Sequence, residues 1–152
     1  MVDWSKQRYW EDVKEGEQVP GVLINITEER MVIAAAGNRD FNPHQFVEAI
    51  AHQHGAPHIF ANNVFIQSMW ERCIREYIGM GGWVKKVGPF RIRTFNMAGD
   101  AVTTKGTVKR KWQENGQNLV ELEVWSEKQN GTVCVGPGPV LVTLPTRAQA
   151  PR

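Results

Sequence analysis

Residues 64–78 constrain the fold more than any other stretch. Ile66, Met69, Trp70, Cys73, Ile74, Tyr77 and Ile78 recur there at three- and four-residue steps, while Gln67, Glu71, Arg72, Arg75 and Glu76 fill the gaps. That spacing predicts one long amphipathic helix, ended by Gly79, Gly81 and Gly82. A face this broad needs a sheet to cover it. The second half of the chain supplies one, because residues 84–95, 101–112, 118–127 and 133–144 read as strands. They are separated by the turn sequences Ala98-Gly99-Asp100, Glu114-Asn115-Gly116 and Gln129-Asn130-Gly131. Val120, Leu122 and Val124 alternate with Glu121, Glu123 and Trp125, which predicts one buried and one solvated face. This half reads as an antiparallel meander, and the class is α+β.

The first half is mixed. Val22-Leu23-Ile24-Asn25-Ile26 is consistent with a strand, and Thr27 can cap a short helix carrying Met31, Val32, Ala34 and Ala35, with Gly37 to end it. Asn42 followed by Pro43 reads as an N-cap with proline at the first helical position, opening a second short helix that runs to about His54. Asp40 then falls on a connection between helices, where reactive side chains are commonly displayed.

Length and charge narrow the class further. The 152 residues, 41% of them hydrophobic, fit a single domain over residues 1–145 with a dispensable tail at 146–152. With 18 basic and 16 acidic residues the net charge is only +2, so no polyanion partner is expected. The one dense basic run, Lys105, Lys109, Arg110 and Lys111, sits in an alternating strand and reads as a solvated face rather than a nucleic-acid patch. Cys73 and Cys134 have no paired spacing, which fits a reduced, cytoplasmic protein. Met1-Val2-Asp3-Trp4-Ser5-Lys6 lacks the apolar core of a signal peptide, and no run approaches the roughly 18 apolar residues of a membrane span.

The chemistry concentrates in Arg39-Asp40-Phe41-Asn42-Pro43-His44-Gln45, which sets an acid, amides and an imidazole around one proline. Asp40 and His44 can both move protons near neutral pH. Asp40 reads either as a base or as a helix cap, and His44 as pocket-facing or surface-facing. Asn62 and Asn63, at the start of the long helix, read as substrate contacts or as caps. His52 and His54 are two apart, which on a helix turns the rings about 200° from each other. No metal site is expected from them or from His58. No Gly-rich phosphate loop is present, and no cofactor is expected.

The order of parts, with Asp40-Phe41-Asn42-Pro43, resembles the MaoC-like hydratase/dehydratase family over about residues 9–144. The Gly99-Asp100 turn before a strand is also typical of that family. Arg39-Asp40-Phe41 and Ile59-Phe60-Ala61-Asn62 look like the single-domain subunits that act on CoA thioesters of steroid side chains. The resemblance implies a hot-dog fold, in which an antiparallel sheet wraps a long central helix. It implies an (R)-specific 2-enoyl-CoA hydratase whose substrate is the CoA thioester, with Asp40 and His44 as the catalytic pair. Asn42, Gln45, Asn62 and Asn63 would be substrate-binding residues, with the Asn62 backbone N–H facing the thioester oxyanion. It also implies a homodimer, or a heteromer with a second hot-dog subunit.

The family pattern carries histidine five residues after the aspartate, where this chain has Gln45, with His44 one position early. One residue on a helix is a rotation of about 100°. Either the backbone shifts to bring His44 to the pocket, or the pocket holds Asp40 and Gln45. Gln45 at that place supports a second function, a non-catalytic acyl-CoA-binding or partner subunit, and the hot-dog fold that the resemblance implies also hosts a third, an acyl-CoA thioesterase. The thioesterase wants an acid on the substrate side of the long helix, whereas Glu71 and Glu76 fall on its polar face.

Overall fold

A computed structural model describes residues 6–149 of the chain. The expectations for the extreme N-terminus and for the last residues of the tail fall outside the described residues. In chain order the regular elements are strand β1 (Gln18–Asn25), helix α1 (Glu28–Asn38), helix α2 (Glu48–Gln53), helix α3 (Asn63–Ile78), and strands β2 (Trp83–Val87), β3 (Ala101–Glu114), β4 (Gln117–Lys128) and β5 (Val133–Thr143). The strands form one five-stranded sheet in the order β1-β3-β4-β5-β2, with every neighbouring pair antiparallel. β3, β4 and β5 form the expected meander, flanked by β1 and β2.

The long helix forms as its periodicity predicts. Phe65, Ile66, Met69, Trp70, Cys73, Ile74, Tyr77 and Ile78 are buried along one face. They meet the inner face of the sheet, where Val120, Leu122, Val124 and Ser126 of β4 are fully buried. Trp70 is the largest side chain in this core, and its Nε1 donates to the Ser126 hydroxyl at 2.9 Å, so burying the indole leaves no donor unpaired. Truncating a core aromatic of this kind costs about 3–5 kcal/mol. Gly136 lies against the indole at φ +77°, and a Cβ there would come within 3.0 Å of Trp70, so both backbone and space require glycine.

The outer face of the sheet carries the basic run. Lys105 pairs with Glu127 at 2.8 Å, Arg110 with Glu121 at 3.0 Å and Lys109 with Glu123 at 3.7 Å, so these charges answer one another across β3 and β4. Both cysteines are free and buried. Burial pushes the Cys73 thiol up to about 12, which keeps it protonated. No helix among the described residues is long and apolar enough to cross a membrane.

Three sequence expectations are corrected. α1 runs past Gly37 and ends at Arg39, which adopts the left-handed conformation at φ 56°. The helix expected from Pro43 to about His54 is instead a single 3-10 turn, Pro43–Gln45, followed by the separate α2. The break lies at Phe46 and Val47, where the β-branched Val47 takes an extended conformation. The strand expected over residues 84–95 stops at Val87, because Gly88 takes φ +78° and Pro89 has no N–H for a ladder. Beyond it the isolated Ile92–Val135 bridge continues the contact with β5, whereas Met97 bridges to Phe60. In the described part of the 146–152 tail, Arg147 N–H donates to Glu11 and the Arg147 guanidinium binds Asp12.

Candidate active site

The end of α1 fixes Asp40. Its N–H donates back to Ala35 O at 3.0 Å, closing the turn made by Arg39 and turning the Asp40 side chain toward the start of α3. There Asn62 Nδ2 donates to the Asp40 carboxylate at 2.5 Å. Asn62 Oδ1 accepts the Phe65 N–H at 2.8 Å, so one buried carboxamide caps the long helix and holds the acid. Asp40 is thus no N-cap of the following turn. That task falls to Asn42, whose Oδ1 accepts from His44 N–H at 3.5 Å.

The 3-10 turn settles which of the two adjacent side chains points inward. Gln45 is 1% exposed, and its Nε2 donates to the Asp40 backbone carbonyl at 3.1 Å. His44 is half-buried beside it, with its ring lying flat on Phe60 at 4.4 Å between centroids and 8° between planes. The His54 ring meets its edge at 5.6 Å. Burial first, and then the charge of His54, push the His44 imidazole below its ordinary value, against the opposing pull of the Asp40 carboxylate. A lowered value means a ring that is uncharged and able to take a proton at neutral pH.

The structure therefore brings Asp40, His44, Gln45 and Asn62 together. Asn42 is exposed and serves the turn, and Asn63 is exposed at the first position of α3. The side chain of Asn62 is engaged by Asp40 and by its cap. Its backbone N–H makes no hydrogen bond among the described residues, nor do those of Asn63 and Val64. These three donors, with the positive end of the helix dipole, form the place where an oxyanion is best held.

Three features of the neighbourhood were not legible as site elements. Phe60 is the platform beneath His44, His54 touches the edge of the His44 ring, and the buried Asn96 holds the Ala61 N–H through its backbone carbonyl at 2.8 Å. His52 and His58 turn elsewhere, to Pro57 O and to Glu48. Glu71 and Glu76 lie on the polar face of α3, where they bind Gln67 and Arg72.

A cleft of about 730 Å³ lies at the opposite end of α3 and is lined by Arg75, Met80, Gly82 and Trp83. Its one ionisable group, Arg75, is engaged with Gly82 O at 2.8 Å. The acid, the imidazole and the free N–H groups lie instead at the Asn62 end of α3.

No protein-family profile and no curated protein matches the chain. Solved structures do. The ChsH1-ChsH2 complex from Mycobacterium tuberculosis contains a chain that aligns with a TM-score of 0.76 at 21% identity, covering 86% of this chain and 98% of that one. The (R)-hydratase from A. caviae involved in PHA biosynthesis aligns at 0.77 and 18% identity, covering 89% and 99%. The R-hydratase PhaJ1 from Pseudomonas aeruginosa aligns at 0.80 and 18% identity, covering 95% and 94%. The sheet order, the wrapped helix and these superpositions agree, and the chain has the hot-dog fold in the form taken by the (R)-hydratases and MaoC-like dehydratases.

Proposed function

We propose that this protein adds water to, or removes it from, the double bond of a 2-enoyl-CoA thioester, in the manner of an (R)-specific hydratase. The observation that carries the reading is the Asp40 carboxylate, held by Asn62 at the mouth of α3 with the His44 ring beside it. In the hydration direction the pair takes a proton from water as its oxygen bonds to the β-carbon. The thioester oxygen gathers negative charge, which the free N–H groups of Asn62 to Val64 stabilise. The α-carbon then receives a proton from the same pair, so the pair is unchanged after one turnover and one water has been added. Asp40 serves as the base toward water, and His44 relays the proton. No cofactor is required.

One observation favours a second reading, that of an acyl-CoA-binding or partner subunit in a heteromeric hydratase. The inward place beside Asp40 is filled by Gln45, and an amide exchanges no proton near neutral pH. Incubating the pure protein with a 2-enoyl-CoA, while following loss of conjugation and release of free CoA thiol, separates the readings. Loss of conjugation without thiol release supports the hydratase, release of thiol marks a thioesterase, and no reaction leaves the partner subunit.

We also propose a homodimer or a heteromer with a second hot-dog subunit as the working form. β1 and β2 are the two edges of the sheet, and Met80 and Trp83 beside the β2 edge are 66% and 69% exposed. The free thiols of Cys73 and Cys134 suit a reducing, cytoplasmic setting.

A further inference from the structure

Catalytic imidazoles are ordinarily oriented by a hydrogen bond on the ring nitrogen that does not react. His44 has none. Its Nδ1 is buried without a partner, and neither ring nitrogen is hydrogen-bonded among the described residues. What holds the ring is contact: Phe60 lies parallel beneath it at 4.4 Å, and His54 closes on its edge at 5.6 Å.

Phe60 is itself firmly placed. Its backbone pairs with Met97 in an antiparallel bridge, flanked by Ala61 N–H to Asn96 O at 2.8 Å and Ala98 N–H to Ile59 O at 3.0 Å. Phe95 packs against its ring at 4.7 Å. A short ladder between the segment before α3 and the turn before β3 thus fixes the platform independently of the loop that carries His44. The same segment continues directly into Asn62, which holds Asp40. Both members of the acid/imidazole pair are therefore referred to one stretch of backbone.

We propose that Phe60 is the positioning residue of His44, an aromatic platform that orients the imidazole where no hydrogen bond does so. It lets a histidine one position early in the turn keep a defined orientation beside Asp40, while Gln45 fills the core. The consequence for turnover rests on the hydratase reading, whereas the platform itself does not. The groups that face the ring with charge are Asp40, from the connection after α1, and His54, from the end of α2.

The test is NMR of the histidine ring protons in the full chain, assigned with His44→Gln, together with hydratase kinetics. The wild type should show His44 resonances displaced upfield by the Phe60 ring current. Phe60→Leu should abolish that displacement and lower kcat by about tenfold to a hundredfold, as a small misplacement of a reacting group does, with KM little changed. Phe60→Tyr should restore both. A wild-type His44 resonance without ring-current displacement overturns the proposal, whether or not any variant folds. So does a folded Phe60→Leu protein with unchanged kcat in an active enzyme. A displaced His44 resonance in a wild type inert toward enoyl-CoA would sink the hydratase reading and leave the platform standing.

Discussion

The carboxamide of Asn62 joins Asp40 to the long helix, donating to the acid at 2.5 Å and accepting from Phe65 N–H at 2.8 Å. Placement of the acid and stability of α3 are thereby coupled. Losing the cap costs about 1 kcal/mol, and losing a hydrogen bond to a charged partner about 1.5–3 kcal/mol. Asn62→Ala should therefore lower stability by about 2.5–4 kcal/mol in urea titration, and lower turnover in the fraction that remains folded.

Asn62→Asp separates the two effects. It keeps the cap but sets two carboxylates against each other, so one of them holds a proton at neutral pH. The variant should stay close to the wild type in stability, while its turnover falls at neutral pH and its pH profile moves upward.

Asp40→Asn retains the shape of the side chain and removes its proton chemistry. Turnover should fall by at least about a hundredfold, within the range of acid–base catalysis, with an unchanged circular dichroism spectrum. Loss of the fold instead would assign Asp40 to the helix junction alone, and retained turnover would move the chemistry elsewhere.

The pH dependence of stability has a definite sign for His44. Its folded value lies below the ordinary 6.5, so between the two the unfolded chain binds the extra proton. This group's contribution is intact above the ordinary value and is lost as pH falls through the window toward the folded value. Acidification from about pH 7.5 to about pH 5.5 should destabilise the wild type more than His44→Ala, read from denaturant midpoints at each pH.

Much of this architecture was legible in the sequence. α3 was, because the helical periodicity of residues 64–78 admits one buried face, and the meander was, because alternation and turn residues coincide. The sequence also singled out Asp40 and Asn62, which the structure joins by a hydrogen bond. It left open which of His44 and Gln45 turns inward, since that depends on a backbone break at Phe46 and Val47 and on the Gln45 amide finding Asp40 O. Phe60 carried no signal of its own role, because its position depends on a bridge to Met97, distant in the chain.

Gln45 illustrates why burial changes a prediction. As a surface residue it would be dispensable, but at 1% exposure Gln45→Ala leaves a cavity and an unpaired carbonyl. Stability should fall by about 1–3 kcal/mol in denaturant titration, with little change in turnover per folded molecule.

Assembly is tested by sedimentation across micromolar concentrations. A dimer, or a complex with a second hot-dog chain, is expected. Trp83→Lys should weaken it if the β2 edge takes part. A monomer at every concentration, with no partner recovered, contradicts the expectation.

The most direct test of the acid/imidazole pair is hydration of a 2-enoyl-CoA by the wild type, His44→Ala and Gln45→His side by side. The wild type should be active, His44→Ala should lose at least about a hundredfold, and Gln45→His should gain nothing. A wild type without activity that gains it on Gln45→His would contradict the pairing of Asp40 with His44 and leave a partner or acyl-CoA-binding subunit.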